Sequence, residues 1–195
     1  MLKHTTKIGV MGSAGGNIGK NALDKATLLG EEIAEHDCTI VTGACPGLPH
    51  AVAVAAHERG TLTVGISPGL SLEEHVVRYN SPYEVYDVMI YTGSGLMGRE
   101  ITAIRSCDIV TILGGRSGTL GEFSIAYDEG KLIAVLQGTG GIADNLHKIV
   151  EMIDKETNAE IVYDENPKDL LEKAIELHDE RIREGRAYYT PQADG

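Results

Sequence analysis

Arg99 and Glu122 are the side chains in this chain best suited to chemistry, and they flank the glycine-rich stretch Gly114-Gly115-Arg116-Ser117-Gly118-Thr119. A guanidinium clamps phosphate or ribose in a forked geometry that an ammonium does not match. A carboxylate facing a sugar orients or deprotonates water, or stabilises developing positive charge. Glycines let the backbone turn tightly and approach a ligand closely. A loop that runs into a helix N-terminus offers unpaired N–H groups and a favourable dipole to an anion. Placed in one cleft, these parts would hold the 5′-phosphate of a nucleotide and cleave its N-glycosidic bond, with Arg99 and Glu122 as the catalytic pair.

Bland alternatives account for the same residues. Thr119-Leu120-Gly121-Glu122 also fits a capping box, with Glu122 reaching back to the Thr119 N–H. Arg99 placed in a helix first turn would pair with Glu100 or Glu122 on the surface, an arrangement of little energetic weight. His50, beside the second loop, reads as a surface residue or a donor to a ligand; Ser13 and Ser94 have no His and acid nearby in sequence for a nucleophilic triad, and no Cys, His and carboxylate group has metal-ligand spacing.

The elements that must position these residues alternate along the chain. Apolar runs at 7–11, 39–42, 62–66, 87–91, 108–113, 132–136 and 160–162 read as strands. Helical patterns occupy 21–36, 49–59, 71–77, 99–106, 119–129, 143–155 and 166–183. Continuous apolar strands alternating with helices predict an α/β, Rossmann-like, doubly wound and mostly parallel sheet of six to seven strands, with helices on both faces. One domain over 1–183 and a loose tail over 184–195 are expected.

Each of the first six strands ends in a glycine or Ser-Pro-Gly turn: Gly12-Ser13, Gly43 to Gly47, Ser67-Pro68-Gly69, Gly93 to Gly98 with Gly95 inside it, Gly114 to Gly118, and Gly138 to Gly141. In a parallel sheet all six lie at the carboxyl edge, where open α/β sheets bind ligands. Phosphate contacts are therefore expected from Gly12, Ser13, Gly43, Gly47, Gly95, Gly114, Gly115, Arg116, Ser117, Gly118 and Thr119. Neither the dinucleotide fingerprint G-x-G-x-x-G nor the Walker pattern is present.

The chain has 195 residues, 24 of them Gly, and a formal net charge of −12. That charge argues against nucleic acid held by general electrostatics, but not against a small anion bound by local donors. The three cysteines are too scattered for a disulfide framework or a zinc site and read as cytosolic thiols. No apolar stretch has membrane-spanning length, so a cytoplasmic location and no membrane partner are expected.

Gly115, Gly118, Thr119 and Glu122 match the signature P-G-G-x-G-T-x-x-E, and over roughly the first 155 residues the chain resembles the LONELY GUY, or lysine decarboxylase-like, family. Arg99 stands where that family carries an Arg, Gly114 replaces the signature Pro, Arg116 its second Gly, and Glu100 a Lys. The segment from Tyr91 through Arg99 to Asp108 resembles a sister branch that includes the molybdenum cofactor carrier proteins. The resemblance implies a nucleoside 5′-monophosphate phosphoribohydrolase with no required cofactor. Alternatively, it implies a non-catalytic carrier whose ligand is molybdenum cofactor or another pterin phosphate. It also implies a homo-oligomer, dimer or tetramer. Decarboxylation is not supported, since no pyridoxal-phosphate lysine stands out.

Overall fold

The computed structural model describes residues 5–186; of the tail expected over 184–195, residues 187–195 lie outside the described residues. In order the elements are β1 (Lys7–Gly12), α1 (Lys20–Glu35), β2 (Thr39–Thr42), α2 (Leu48–His57), β3 (Thr63–Ser67), α3 (Leu72–Val77) and β4 (Val88–Tyr91). They continue with α4 (Gly95–Arg105), β5 (Ile109–Leu113), α5 (Ser117–Asp128), β6 (Leu132–Leu136), a single 3-10 turn at Ala143–Asn145, α6 (Leu146–Ile153), β7 (Glu160–Asp164) and α7 (Pro167–Arg183). The seven strands form one sheet, entirely parallel, in the order β4-β3-β2-β1-β5-β6-β7.

Strand side chains alternate between two cores, as the two-residue period of a strand requires. Ile8, Val10, Ile40, Ile109, Leu113, Leu132 and Leu136 pack under α1, α2 and α7. Met11, Val41, Val110, Ile112, Ile133 and Val135 pack under α4, α5 and α6. The doubly wound fold read from the sequence is the fold observed. The strand order reverses between β1 and β5, whose ends are level: Gly12 pairs with Leu113. The first and fifth loops therefore leave the sheet side by side, at the position where such sheets open a crevice.

Several boundaries differ from expectation. Helix α4 begins at Gly95, so Arg99 lies in its second turn rather than its first. Helix α5 begins at Ser117. The expected 143–155 helix is a 3-10 turn followed by α6, ended by Asp154 in the left-handed region at φ 48°. On α1 the inward face carries Ala22, Ala26, Leu29 and Ile33, while Leu23 is exposed. Strands β4 and β5 are not neighbours; three strands separate them. Helix α4 spans that gap, packing against β3 and α5 as it carries the chain from one side of the sheet to the middle. Among the described residues no helix is long and apolar enough to cross a membrane.

Gly30 of α1 lets α1 and α2 approach closely. A methyl there would stand 2.3 Å from the Val52 carbonyl oxygen and 2.9 Å from Ala55 Cβ on α2. Replacing a helical Gly by Ala is worth about 1 kcal/mol in propensity. Overlap with a fixed backbone oxygen costs more, since no rotamer relieves it. Gly30→Ala is expected to lower stability by about 1–2 kcal/mol net, read as a lower urea midpoint; an unchanged or raised midpoint contradicts this packing.

Candidate functional site

The loop between β5 and α5 is built by hydrogen bonds that use its own glycines. The Gly114 N–H donates to Thr139 Oγ1 at 2.8 Å and the Gly115 N–H to Ser13 Oγ at 2.6 Å. Their carbonyls accept from Ala143 and Ile142. Both glycines have positive φ, at 61° and 98°, which L side chains resist. Gly114 and Gly115 therefore give the loop its shape, and their N–H groups are spent within the protein. This corrects the expectation that they donate to phosphate.

The free donors lie one step further on. Arg116 is the N-cap of α5 without a side-chain cap bond, and the helical ladder begins with the Leu120 N–H to the Arg116 carbonyl. Among the described residues, the N–H groups of Ser117, Gly118 and Thr119 have no acceptor. Three open donors at the positive end of a 12-residue helix are the arrangement that favours an anion. The Arg116 guanidinium reaches across to the first loop, within 4 Å of where Cβ atoms of Gly15 and Gly16 would stand. Ser13, Gly12 and Gly47 complete this wall. A Cβ at Gly12 would fall 2.2 Å from the Leu113 carbonyl oxygen, and one at Gly47 would fall 2.1 Å from that of Ser13. Thr119 is buried beneath the turn against Gly115, leaving its backbone rather than its hydroxyl to face a ligand.

Beside this cradle, on the α4–α5 face, lies a charged cluster. Arg99 is only 7 % exposed. Its Nη1 donates to the Ile66 carbonyl at 3.0 Å and its Nη2 to Cys45 Sγ at 3.1 Å, while Nε is buried without a partner. The surface pairing with Glu100 or Glu122 is thus corrected: Arg99 is anchored inward, to the ends of β3 and the second loop. A Cβ on Gly43 would lie 1.6 Å from Arg99 Nη1, so Gly43 makes room for the guanidinium rather than cradling phosphate. Glu100 is also buried, with Oε2 3.2 Å from where a Gly121 Cβ would be and Oε1 3.7 Å from that of Gly118. These two glycines clear one side of α5 for a carboxyl group, a role that depends on tertiary contact and leaves no local pattern.

Glu122 is one turn into α5. The capping box is not formed: Thr119 is the third helical residue and the cap is Arg116. Burial pushes the Glu122 carboxyl up to about 7; Arg99 opposes that rise and Glu100 adds to it. Burial also raises Glu100, again opposed by Arg99. A carboxyl near neutral pKa beside a fixed cation is suited to accept and return a proton. Arg99 and Glu122 thus share a cluster although their strands are far apart. Gly95 stands at the outer start of α4, its N–H given to the Pro68 carbonyl. His50 lies behind the second loop, its Nδ1 3.4 Å from the Tyr86 hydroxyl.

A cavity of about 630 Å³ opens at the opposite, amino edge, lined by Arg105, Lys131, His178 and Arg181 among others. Its arginines are taken: Arg105 pairs with Glu129 and Arg181 with Glu160. The open backbone donors and the near-neutral carboxyl are at the carboxyl edge instead.

Folding favours neutral Glu122, so its contribution to stability is full below the ordinary carboxylate value of 4.5 and is lost as pH rises through about 7. Glu122→Gln removes that loss. Its melting temperature relative to wild type is expected to rise between pH 5 and pH 8 by about 3 °C, the equivalent of about 1 kcal/mol in a chain of this size. An equal difference at both pH values contradicts the burial of Glu122.

The geometry agrees with what the chain resembles. The model of the SLOG cluster4 family matches residues 5–171. An uncharacterized protein of Archaeoglobus fulgidus is 30% identical over 131 residues, covering 67% of this chain and 80% of the relative. The Moco carrier protein of Chlamydomonas reinhardtii superposes with a TM-score of 0.71 at 25% identity, over 91% of this chain and 99% of that one. The molybdenum cofactor binding protein of Rippkaea orientalis gives 0.67 at 26% identity, over 92% and 99%. Matched by that family model along nearly its whole described length, this chain, with its glycine-turned loop at the β1/β5 switch point, belongs to the SLOG cluster4 family.

Proposed function

We propose that this chain binds a small phosphate-bearing heterocyclic ligand, and that it acts as a carrier for such a ligand, molybdenum cofactor or a related pterin phosphate. The observation that carries the reading is the set of open N–H groups on Ser117, Gly118 and Thr119, faced by Arg116 at the β1/β5 switch point. Those donors fit a phosphate monoester. A chain of net charge −12 needs such a local device to hold an anion. The similarity to Moco-binding proteins supports the same ligand class.

A second reading has its own observation. Glu122, pushed up to about 7 and set beside Arg99, fits a phosphoribohydrolase that cleaves the N-glycosidic bond of a nucleoside 5′-monophosphate. Ser117 to Thr119 would hold the phosphate, Arg99 would steady the ribose side, and Glu122 would take a proton from the attacking water. A cytoplasmic protein with reduced thiols fits either reading.

Calorimetric titration with nucleoside 5′-monophosphates and a pterin phosphate, together with chromatography for free base, tests both. The carrier reading expects tight pterin phosphate binding and no base release, with Arg116→Ala weakening affinity about tenfold, near 1.4 kcal/mol. Base release lost by at least about 100-fold in Glu122→Gln supports hydrolysis instead. Failure of every phosphate ligand to bind overturns both.

We further propose that a second copy of this chain covers the β4 side. Leu70, Val77 and Met97 are 75–78 % exposed there, next to exposed Val88, Ile90, Tyr91 and Leu96. Strand β4 is a sheet edge with no charged residue in Val88–Tyr91, unlike edges protected against pairing. Light scattering is expected to give a dimer or larger, and Met97→Glu to shift it toward monomer. A wild-type monomer at every concentration contradicts the proposal.

A further inference from the structure

The second loop carries a thiol that neither reaction uses. Cys45 is half-buried at the carboxyl edge; its sulfur accepts from Arg99 Nη2 at 3.1 Å and donates to the Gly43 carbonyl at a longer 3.5 Å. Two residues earlier, Gly43 clears the space that the same guanidinium fills. The Arg99 guanidinium, itself only 7 % exposed, is held in place by the Ile66 carbonyl, so the charge beside the sulfur is fixed. The other two thiols are closed off at the opposite edge, before β2 and β5. Cys38 donates to the His36 carbonyl and Cys107 to that of Ala103, each at 3.0 Å. Burial pushes them up to about 11 and about 12.

We propose that Cys45 is a modification site within the ligand cleft, a thiol faced by Arg99 that reacts with peroxides and soft electrophiles while the cleft is empty and is shielded when it is filled. The shielding rests on the ligand reading above; the reactivity does not. Thiolates near cations and open to solvent are the reactive ones. With peroxide, the thiolate sulfur attacks one oxygen, the S–O bond forms, the O–O bond breaks and hydroxide leaves. Sulfur is oxidised by two electrons and the peroxide is reduced. Cys38 and Cys107, buried at the other edge, are out of place to resolve the sulfenic acid as a disulfide. The added oxygen would take Arg99 as its partner and narrow the cleft, so oxidation weakens ligand binding.

The test is limiting iodoacetamide on the native full chain, followed by peptide mass mapping. Cys45 is expected to be alkylated at least about tenfold faster than Cys38 and Cys107, with denaturant removing the difference. Equal rates, or Cys38 reacting first, overturn the assignment. Arg99→Gln should slow Cys45 alkylation while Arg99→Lys, which keeps the charge, restores most of it; equal slowing in both variants overturns the role of the cation. Dimedone trapping after peroxide should add its mass at Cys45, and its absence there overturns the oxidation step. Labelling is repeated with guanosine 5′-monophosphate at a concentration that calorimetry has found saturating. Protection supports the shielding, and undiminished labelling of the saturated protein overturns it. Absence of calorimetric binding by guanosine 5′-monophosphate and by the pterin phosphate alike is a failure of the ligand reading, while the order of thiol reactivity still decides the assignment of Cys45.

Discussion

The hydrogen bond from the Gly115 N–H to Ser13 Oγ, 2.6 Å long, ties the first loop to the fifth at the one place where the sheet reverses direction. What faces a ligand depends on this tie. It holds the turn in which Gly114 and Gly115 adopt positive φ, and that turn aims the α5 N-terminus into the crevice. The neighbouring loops lock onto the same knot: Thr139 from the sixth, and Leu48, whose N–H donates to the Ser13 carbonyl, from the second. The knot uses up the N–H groups of the two glycines, and those of Ser117, Gly118 and Thr119, past the Arg116 cap, stay open.

Electrostatics divides the cleft into two parts with different tasks. The α5 terminus and Arg116 supply positive potential for an anion, mostly from backbone dipoles that involve no buried charge. The Arg99, Glu100 and Glu122 cluster does bury charge. Burying ionised groups is tolerated only with partners, and the fold responds by anchoring Arg99 on a carbonyl and a sulfur and by raising both carboxyls. One cation faces two acids there, and it opposes the rise that burial imposes on each of them.

The fold was legible in the sequence because strands buried on both faces are continuous apolar runs, and because the loops that end them are rich in glycine at one edge. That the glycine-rich stretch runs into a helix N-terminus was legible as well, but which of its N–H groups stay open was not. Whether Gly114 or Ser117 has a free N–H depends on Ser13 and Thr139, more than twenty residues away in either case. Thr119 and Glu122 have capping-box spacing, yet the helix starts two residues earlier because Arg116 takes the cap position. The meeting of Arg99 with Glu122 follows from the diagonal course of α4, not from adjacent strands. Gly43, Gly118 and Gly121 act as clearances for Arg99 and Glu100, and a clearance has no signature until its occupant is seen. Cys45 read as an ordinary cytosolic thiol for the same reason.

The central claim is that the first turn of α5 is where a phosphate-bearing ligand is held. Amide correlation spectra recorded during titration with a nucleoside 5′-monophosphate or a pterin phosphate test it at the level of individual donors. The account predicts the largest shifts at Ser117, Gly118 and Thr119, with smaller ones at Gly15, Gly16 and Cys45. Unmoved amides in the α5 first turn, with shifts gathered instead around Lys131 and Arg181 at the amino-edge cavity, would contradict it.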